Sequence, residues 1–248
     1  MEAKHWDRHA KRYFEDIISP FADKKASKMI FDFVGRFSGK KKICADLGCG
    51  IGFLLPELSK RFKEVYAVDF SGKMIDFAKR KNKNLKNIVF EVGDLRKLKY
   101  KNKFDFAIAV NSILMPSANE IAIVLKNICN SLKKNGVFAA IFPSMEGILY
   151  QAMLVYEREL KKNKKLAAEK TRQIIESWDY DFLLGLLTEK SGKQKLFYEF
   201  ELGYLLKKSG FKNIKISKLG YSWKSLEDKD IDFPGKPGPW DWIVAAKK

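Results

Sequence analysis

Ile43-Cys44-Ala45-Asp46-Leu47-Gly48-Cys49-Gly50-Ile51-Gly52 is the stretch on which the fold turns. A short apolar run ends in an acid, and three alternating glycines lead into an apolar segment from Phe53. That order reads as a buried strand, a tight turn and the first turn of a helix. Glycine suits the turn because it reaches backbone angles closed to other residues and lets a ligand approach the main chain. Amides at the helix N-terminus then face that ligand. Alone, such a turn is common to several nucleotide-binding sheets, so the surrounding chain has to narrow it.

Outward from the turn, strand and helix signals alternate. Upstream, Ala26, Met29, Ile30, Phe33, Val34 and Phe37 form the stripe of an amphipathic helix, stopped at Ser38-Gly39. Residues 1–38 are expected to form an N-terminal helical cap, and its aromatic stretch Trp6 to Phe14 needs a surface to cover. Downstream, Val65–Asp69 reads as a second strand, with Ser71 placed to cap a helix through Met74, Ile75 and Ala78. Ile88–Val92, Phe104–Val110 and Val137–Phe142 supply a third, fourth and fifth strand. Near-continuous apolar strands spaced by helices indicate a mostly parallel sheet covered on both faces. The rhythm stops after Pro143. Residues 147–190 show only helical periodicity (Leu149, Met153, Tyr156, Leu160), then a lysine tract and the cluster Trp178 to Phe182. They are expected to be a helical insertion after strand five. The rhythm resumes with a helix at Phe200–Lys208 and strands near Ile214–Ile216 and Trp242–Ala246. The expectation is one domain over 1–248 with a Rossmann-like, seven-stranded α/β sheet, its C-terminal strand antiparallel.

Composition bounds the rest. The 248 residues are 46% hydrophobic, enough for a full core. No apolar run reaches the roughly 18 residues of a membrane span, and the N-terminus lacks a secretory h-region. Three cysteines, odd in number and set in apolar patterns, argue against a disulfide framework or zinc site, so no metal is expected and a reducing cytoplasm fits. Net charge is +18, yet 40 of the 48 basic residues are Lys. Arg is preferred for bidentate phosphate and base contacts, so a solvated lysine surface is favoured over a nucleic-acid footprint.

The motif Ala45-Asp46-Leu47-Gly48-Cys49-Gly50-Ile51-Gly52 resembles the first motif of class I S-adenosylmethionine (SAM)-dependent methyltransferases. Asp69, about 20 residues beyond the loop, stands where the family takes the ribose hydroxyls, as nucleoside-binding sheets do. Val92-Gly93-Asp94-Leu95 is similar to the third-strand motif, whose Asp accepts from the adenine amino group. Asn111 stands where the family lines the methionine and the substrate. The resemblance implies SAM as cofactor, S-adenosylhomocysteine as product, and contacts from Asp46, Gly48, Cys49, Gly50, Gly52, Asp69, Phe70, Met74, Asp94, Leu95 and Asn111. Trp6 and Tyr13 resemble the N-terminal aromatics that close over SAM. It is specific over about residues 40–142, loose over 197–248, and silent on the insertion. The spacing Gly48-x-Gly50-x-Gly52 departs from the Gly-x-Gly-x-x-Gly of dinucleotide binders.

Plainer readings stand beside these: Asp46 as a turn cap, Cys49 as a packing residue, His5 and His9 as surface residues, Trp178 and Tyr180 as core. SAM carries its own activation, so alignment is the protein's main task, and no catalytic residue is assigned. Substrate-side candidates are Asn111, Tyr13, Trp178 and Tyr180. After strand four, Asn111-Ser112-Ile113-Leu114 carries neither Asn/Asp-Pro-Pro-aromatic nor Pro-Cys, which disfavours planar-nitrogen and cytosine-C5 acceptors. The leading expectation is direct, in-line methyl transfer to a small, partly apolar acceptor, with 147–190 as substrate cover, its Leu149, Met153, Tyr156 and Trp178 facing inward. Alternatives are an RNA or ribosomal-protein acceptor using the lysine surface, a non-methylating SAM binder, and, for the insertion, a dimerisation arm. Monomer and homodimer both stay open.

Overall fold

The structure, a computed structural model, describes residues 20–175, 179–189, 192–225 and 231–248. A seven-stranded sheet runs through it, built from β1 (Gly39–Leu47), β2 (Phe62–Asp69), β3 (Ile88–Val92), β4 (Phe104–Val110), β5 (Leu132–Phe142), β9 (Lys212–Gly220) and β10 (Trp240–Lys247). Its order is β3-β2-β1-β4-β5-β10-β9. The five strands from β3 to β5 pair in parallel, whereas β10 runs antiparallel to both neighbours. Successive strands are added on one side of β1 up to β3 and on the other from β4, so the first turn opens at the carboxyl edge beside this switch in strand order, where such sheets bind ligands.

Both faces are covered, which is why the inner strands read as apolar runs rather than alternations. On one face Cys44, Val65, Ala67, Phe106 and Ile108 pack under α1 (Lys24–Gly35), α2 (Leu55–Arg61) and α3 (Gly72–Lys81). On the other, Ala45, Leu47, Val68, Phe104 and Ala107 pack under α4 (Ala118–Ser131) and α7 (Glu199–Lys208). Side chains choose where helices begin. Asp23, Ser71, Ser117 and Ser144 each accept an amide of the following first turn, satisfying a donor that helix geometry leaves orphaned.

The insertion differs from the helical expectation. It opens with two helices, α5 (Met145–Lys162) and α6 (Ala167–Ile175). It continues as a three-stranded antiparallel sheet of β6 (Tyr180–Asp181), β7 (Leu186–Glu189) and β8 (Gly192–Lys195). Helix fails there for local reasons. Asp179, Gly185 and Gly192 take positive φ of 49°, 63° and 121°, bracketing runs too short for helical turns. A Cβ on Gly185 would stand 2.5 Å from the Leu196 carbonyl oxygen, so the hairpin closes on glycine alone.

The small sheet is fastened to the large one's carboxyl edge. The Lys195 amide donates to Leu114 O just past β4, and Phe197 exchanges backbone bonds with Pro143 and Met145 just past β5. A third core cluster, with Leu154, Val155, Ile175 and Trp223, lies under the insertion. Of the expected N-terminal cap, the described part is the 20–23 turn and α1. No helix among the described residues is long and apolar enough to cross a membrane.

Candidate functional site

The three glycines of the first turn all have positive φ: 76° at Gly48, 52° at Gly50 and 76° at Gly52. Packing forbids a side chain as firmly as the backbone does. A Cβ on Gly48 would stand 2.2 Å from that of Ser112, and one on Gly52 would stand 2.7 Å from Asn82 Nδ2. The amides of Gly48 and Cys49 both donate to Val68 O, at 2.7 and 3.0 Å, folding the turn across the end of β2. Asp69 then ties it down: its Oδ2 accepts from Gly50 N–H and its Oδ1 from Ser71 N–H, each at 2.9 Å. Ser112 Oγ donates to Leu47 O at 2.7 Å from the other side.

Asp46, Gly48, Cys49, Gly50, Gly52 and Asp69 are thus brought together at the ends of β1 and β2. Asp46 is 3% exposed, flanked by Ala67 and Ile108. Burial, and secondly the charge of Asp69, push its pKa up to about 7. A carboxylate held so far from water suits a site that receives positive charge. The Cys49 thiol is driven well above its ordinary value by burial and then by the two aspartates, which leaves it no thiolate character.

The other expected residues are spread along the same edge. Phe70 is half-buried beyond Asp69, Met74 is fully buried at the start of α3, and Leu95 belongs to the core beneath the edge. Asp94 caps the short 3-10 turn Leu95–Lys97 and pairs with Arg96 at 2.8 Å. Hydrogen bonds and charge from Arg96 outweigh burial and lower its pKa. Asn111 takes a positive φ of 45°, and its Oδ1 is buried without a partner. Its amide N–H donates to Ile141 O, fixing it beside β5.

Some expectations fall elsewhere. Trp6, Tyr13, Trp178 and the histidines His5 and His9 lie outside the described residues. Tyr180 packs 5.7 Å from Phe182 in the cluster under the insertion. Leu149, Met153 and Tyr156 were expected to face inward but are 41–48% exposed. Leu149 and Tyr156 line an open groove of about 340 Å³ on the insertion itself, with Ala152, Ile175 and Phe182. The physical reason is that the inner side of α5 is already filled by Leu154 and Val155. Among the described residues no group of His, Cys, Asp and Glu is arranged to hold a metal.

The sequence did not reveal a further carboxylate at this edge. Asp241, in the first turn of pairing of β10, accepts from Tyr221 O–H at 2.6 Å and from Ser144 N–H at 3.3 Å. Burial raises its pKa to about 6 against the lowering effect of Tyr221, Asn111 and Ser144. The available signal was an acid between Trp240 and Trp242 in an apolar strand.

Comparison with known proteins agrees with this geometry. Residues 44–136 match a methyltransferase domain. The chain is 25% identical over 149 residues to a malonyl-[acyl-carrier protein] O-methyltransferase of Bacillus anthracis, covering 59% of this chain and 54% of that one. It is 35% identical over 113 residues to a ubiquinone biosynthesis O-methyltransferase of Pelagibacter ubique, covering 44% and 46%. The chain thus spans about half the length of these curated relatives. A SAM-dependent methyltransferase of Mesorhizobium loti shares the fold, with a TM-score of 0.63 at 16% identity, over 92% of this chain and all of that one. The methyltransferase-domain match thus falls on the glycine turn, the two strand-end aspartates and the parallel strands of the 3-2-1-4-5 order that an antiparallel strand continues.

Proposed function

We propose that the chain transfers a methyl group from SAM to a small, partly apolar acceptor. The observation that carries this reading is the convergence of Asp46 and Asp69 on a turn that tolerates no side chain at Gly48 or Gly52. These residues fit the cofactor chemically. Asp46 is a buried carboxylate whose ionised form lacks compensation until a cation arrives, and Asn111 Oδ1 is a buried acceptor without a donor. Asp69 would take the ribose side, Gly48 to Gly52 the methionine side, and Leu95 the base. When bound, SAM supplies a methyl on a sulfonium, whose carbon–sulfur electron pair stays on sulfur as the new bond to the acceptor forms. What the chain's residues do is hold the two partners in line and exclude water, a contribution of roughly 7–11 kcal/mol when alignment is good.

The insertion supports a cover role, because it is fastened through Leu114 and Pro143 to the ends of β4 and β5. An acceptor approaching the methyl would pass beneath it. The test is calorimetric and thermal titration of the intact chain with SAM, S-adenosylhomocysteine and NAD. A ligand at about 100 times its dissociation constant stabilises by about 2.7 kcal/mol. The first two should raise the melting temperature and NAD should not; the opposite order overturns the reading.

A further inference from the structure

Besides the glycine turn, one polar cluster at the carboxyl edge draws on four separate parts of the chain. Asp241 comes from β10, Tyr221 from the segment after β9, Ser144 from the cap of α5 and Asn111 from the end of β4. Register places it at the mouth of the sheet. Val110 pairs with Ile141 and Ile141 with Ile243, so Asp241 stands just beyond the last paired residues of β4. Strand alternation fixes its direction. Trp242 belongs to one core cluster and Ile243 to the other, which sends Asp241 to the Ile243 face. By the same alternation Asp46, between Ala45 and Leu47 of the first cluster, projects to that face, and Tyr221 packs against its cluster.

The cluster also holds an unanswered polar atom, which buried groups rarely leave: Asn111, whose side chain bonds Asp241, keeps its Oδ1 buried without a partner. A half-buried hydroxyl bonded to a carboxylate, on the face of the cofactor aspartates and next to an unfilled acceptor, has the composition of a proton-transfer site.

We propose that Tyr221 and Asp241 accept the proton released by the methyl acceptor, and therefore that this acceptor carries an O–H or N–H group. A carboxylate acceptor, already ionised at neutral pH, would need no such pair. The inference rests on the methyltransferase reading above and goes beyond it to the class of acceptor. In the step, the acceptor's proton moves to Tyr221 Oη while the Tyr221 proton moves to Asp241 Oδ2. The cation's charge is discharged by the carboxylate, and Tyr221 ends as it began. Tyr221 is suited to relay rather than to ionise, because burial, and then the charge of Asp241, push its pKa well above the ordinary value. Asp241, raised to about 6 by burial, is a stronger base than an exposed carboxylate yet ionised at neutral pH. Asp23, the cap of α1, is the further charged group acting on Tyr221; the Asn111 side chain and Ser144 amide facing Asp241 are neutral.

The test needs no acceptor. SAM carries a sulfonium and S-adenosylhomocysteine a neutral thioether, so the ratio of their affinities reports charge near the reacting methyl. Calorimetric titrations of the intact chain between pH 5 and 8 should show the preference for SAM falling toward pH 5 in two parts, one as Asp46 gains its proton near pH 7 and one of about threefold or more as Asp241 gains its proton near pH 6. Asp241→Asn should lose that fall around pH 6 while keeping the wild-type fold by circular dichroism. Tyr221→Phe, which removes a bond that lowers the Asp241 pKa, should move its midpoint to higher pH. If Asp241→Asn keeps the wild-type fall, or, should that variant not fold, if Tyr221→Phe leaves the midpoint in place, the proposal is overturned. If the wild-type chain binds both ligands with a ratio independent of pH, the pair is not at the methyl and only this inference fails. If it binds neither, the methyltransferase reading fails with it.

Discussion

Asp46 ends a strand flanked by Ala67 and Ile108, and nothing in that setting favours a negative charge. Its folded pKa, about 7, lies above the unfolded value near 3.8. The stability it contributes is therefore complete below pH 4 and is lost as pH rises through 7. Asp46→Asn cannot ionise, so it should equal the wild type near pH 4 and exceed it at pH 8. The gap should be on the order of 2–4 kcal/mol, or several degrees in melting temperature. The same variant should weaken SAM binding, and melting curves at both pH values, with and without ligand, check both halves. A gap that is the same at pH 4 and pH 8 would show that Asp46 is not buried as a charge. Asp46 and Asp69 were legible in the sequence because each lies within reach of its own turn. Asp241 and Tyr221 were not, since their partners Ser144 and Asn111 lie about a hundred residues away and only the sheet brings them together.

At the scale of elements, the helices announced themselves through stripes and caps, and β1 to β5 through apolar runs between them. The hairpin of the insertion did not. Its strands are two to four residues long, below the length at which alternation can be distinguished from a helical fragment. Its attachment also rests on a long-range pair invisible to periodicity. Lys195, 4% exposed, bridges Glu201 at 2.8 Å and donates to Leu184 O at 2.6 Å, joining β8 to α7 and to the hairpin turn. Removing one member of a buried pair leaves the other charge without compensation. Lys195→Met should destabilise the chain by about 3 kcal/mol in urea unfolding. SAM affinity should stay within about threefold of wild type, because the glycine turn rests on β2 and not on the hairpin. Equal loss of both would tie the insertion to the cofactor rather than to the acceptor.

For the whole molecule, the order of strands follows from rules of connection: parallel neighbours joined by helices cross over in one hand, and the sheet grows outward from β1 on both sides. What those rules could not foresee is how the two sides are laced back together. Asp23 uses one carboxylate oxygen to accept from Ala26 N–H at the start of α1, and the other to accept from Ser222 N–H, 199 residues along the chain. The first described helix and the residue after Tyr221 therefore hang on a single side chain, which its amide partners hold below the ordinary carboxylate pKa despite burial. In hydrogen-exchange terms, the amides of Ala26 and Ser222 lose protection in one opening event, and Asp23→Ala should raise both rates by a common factor while the β1 amides stay slow. A molecule tied this way cannot loosen its start without also freeing the tyrosine that faces Asp241.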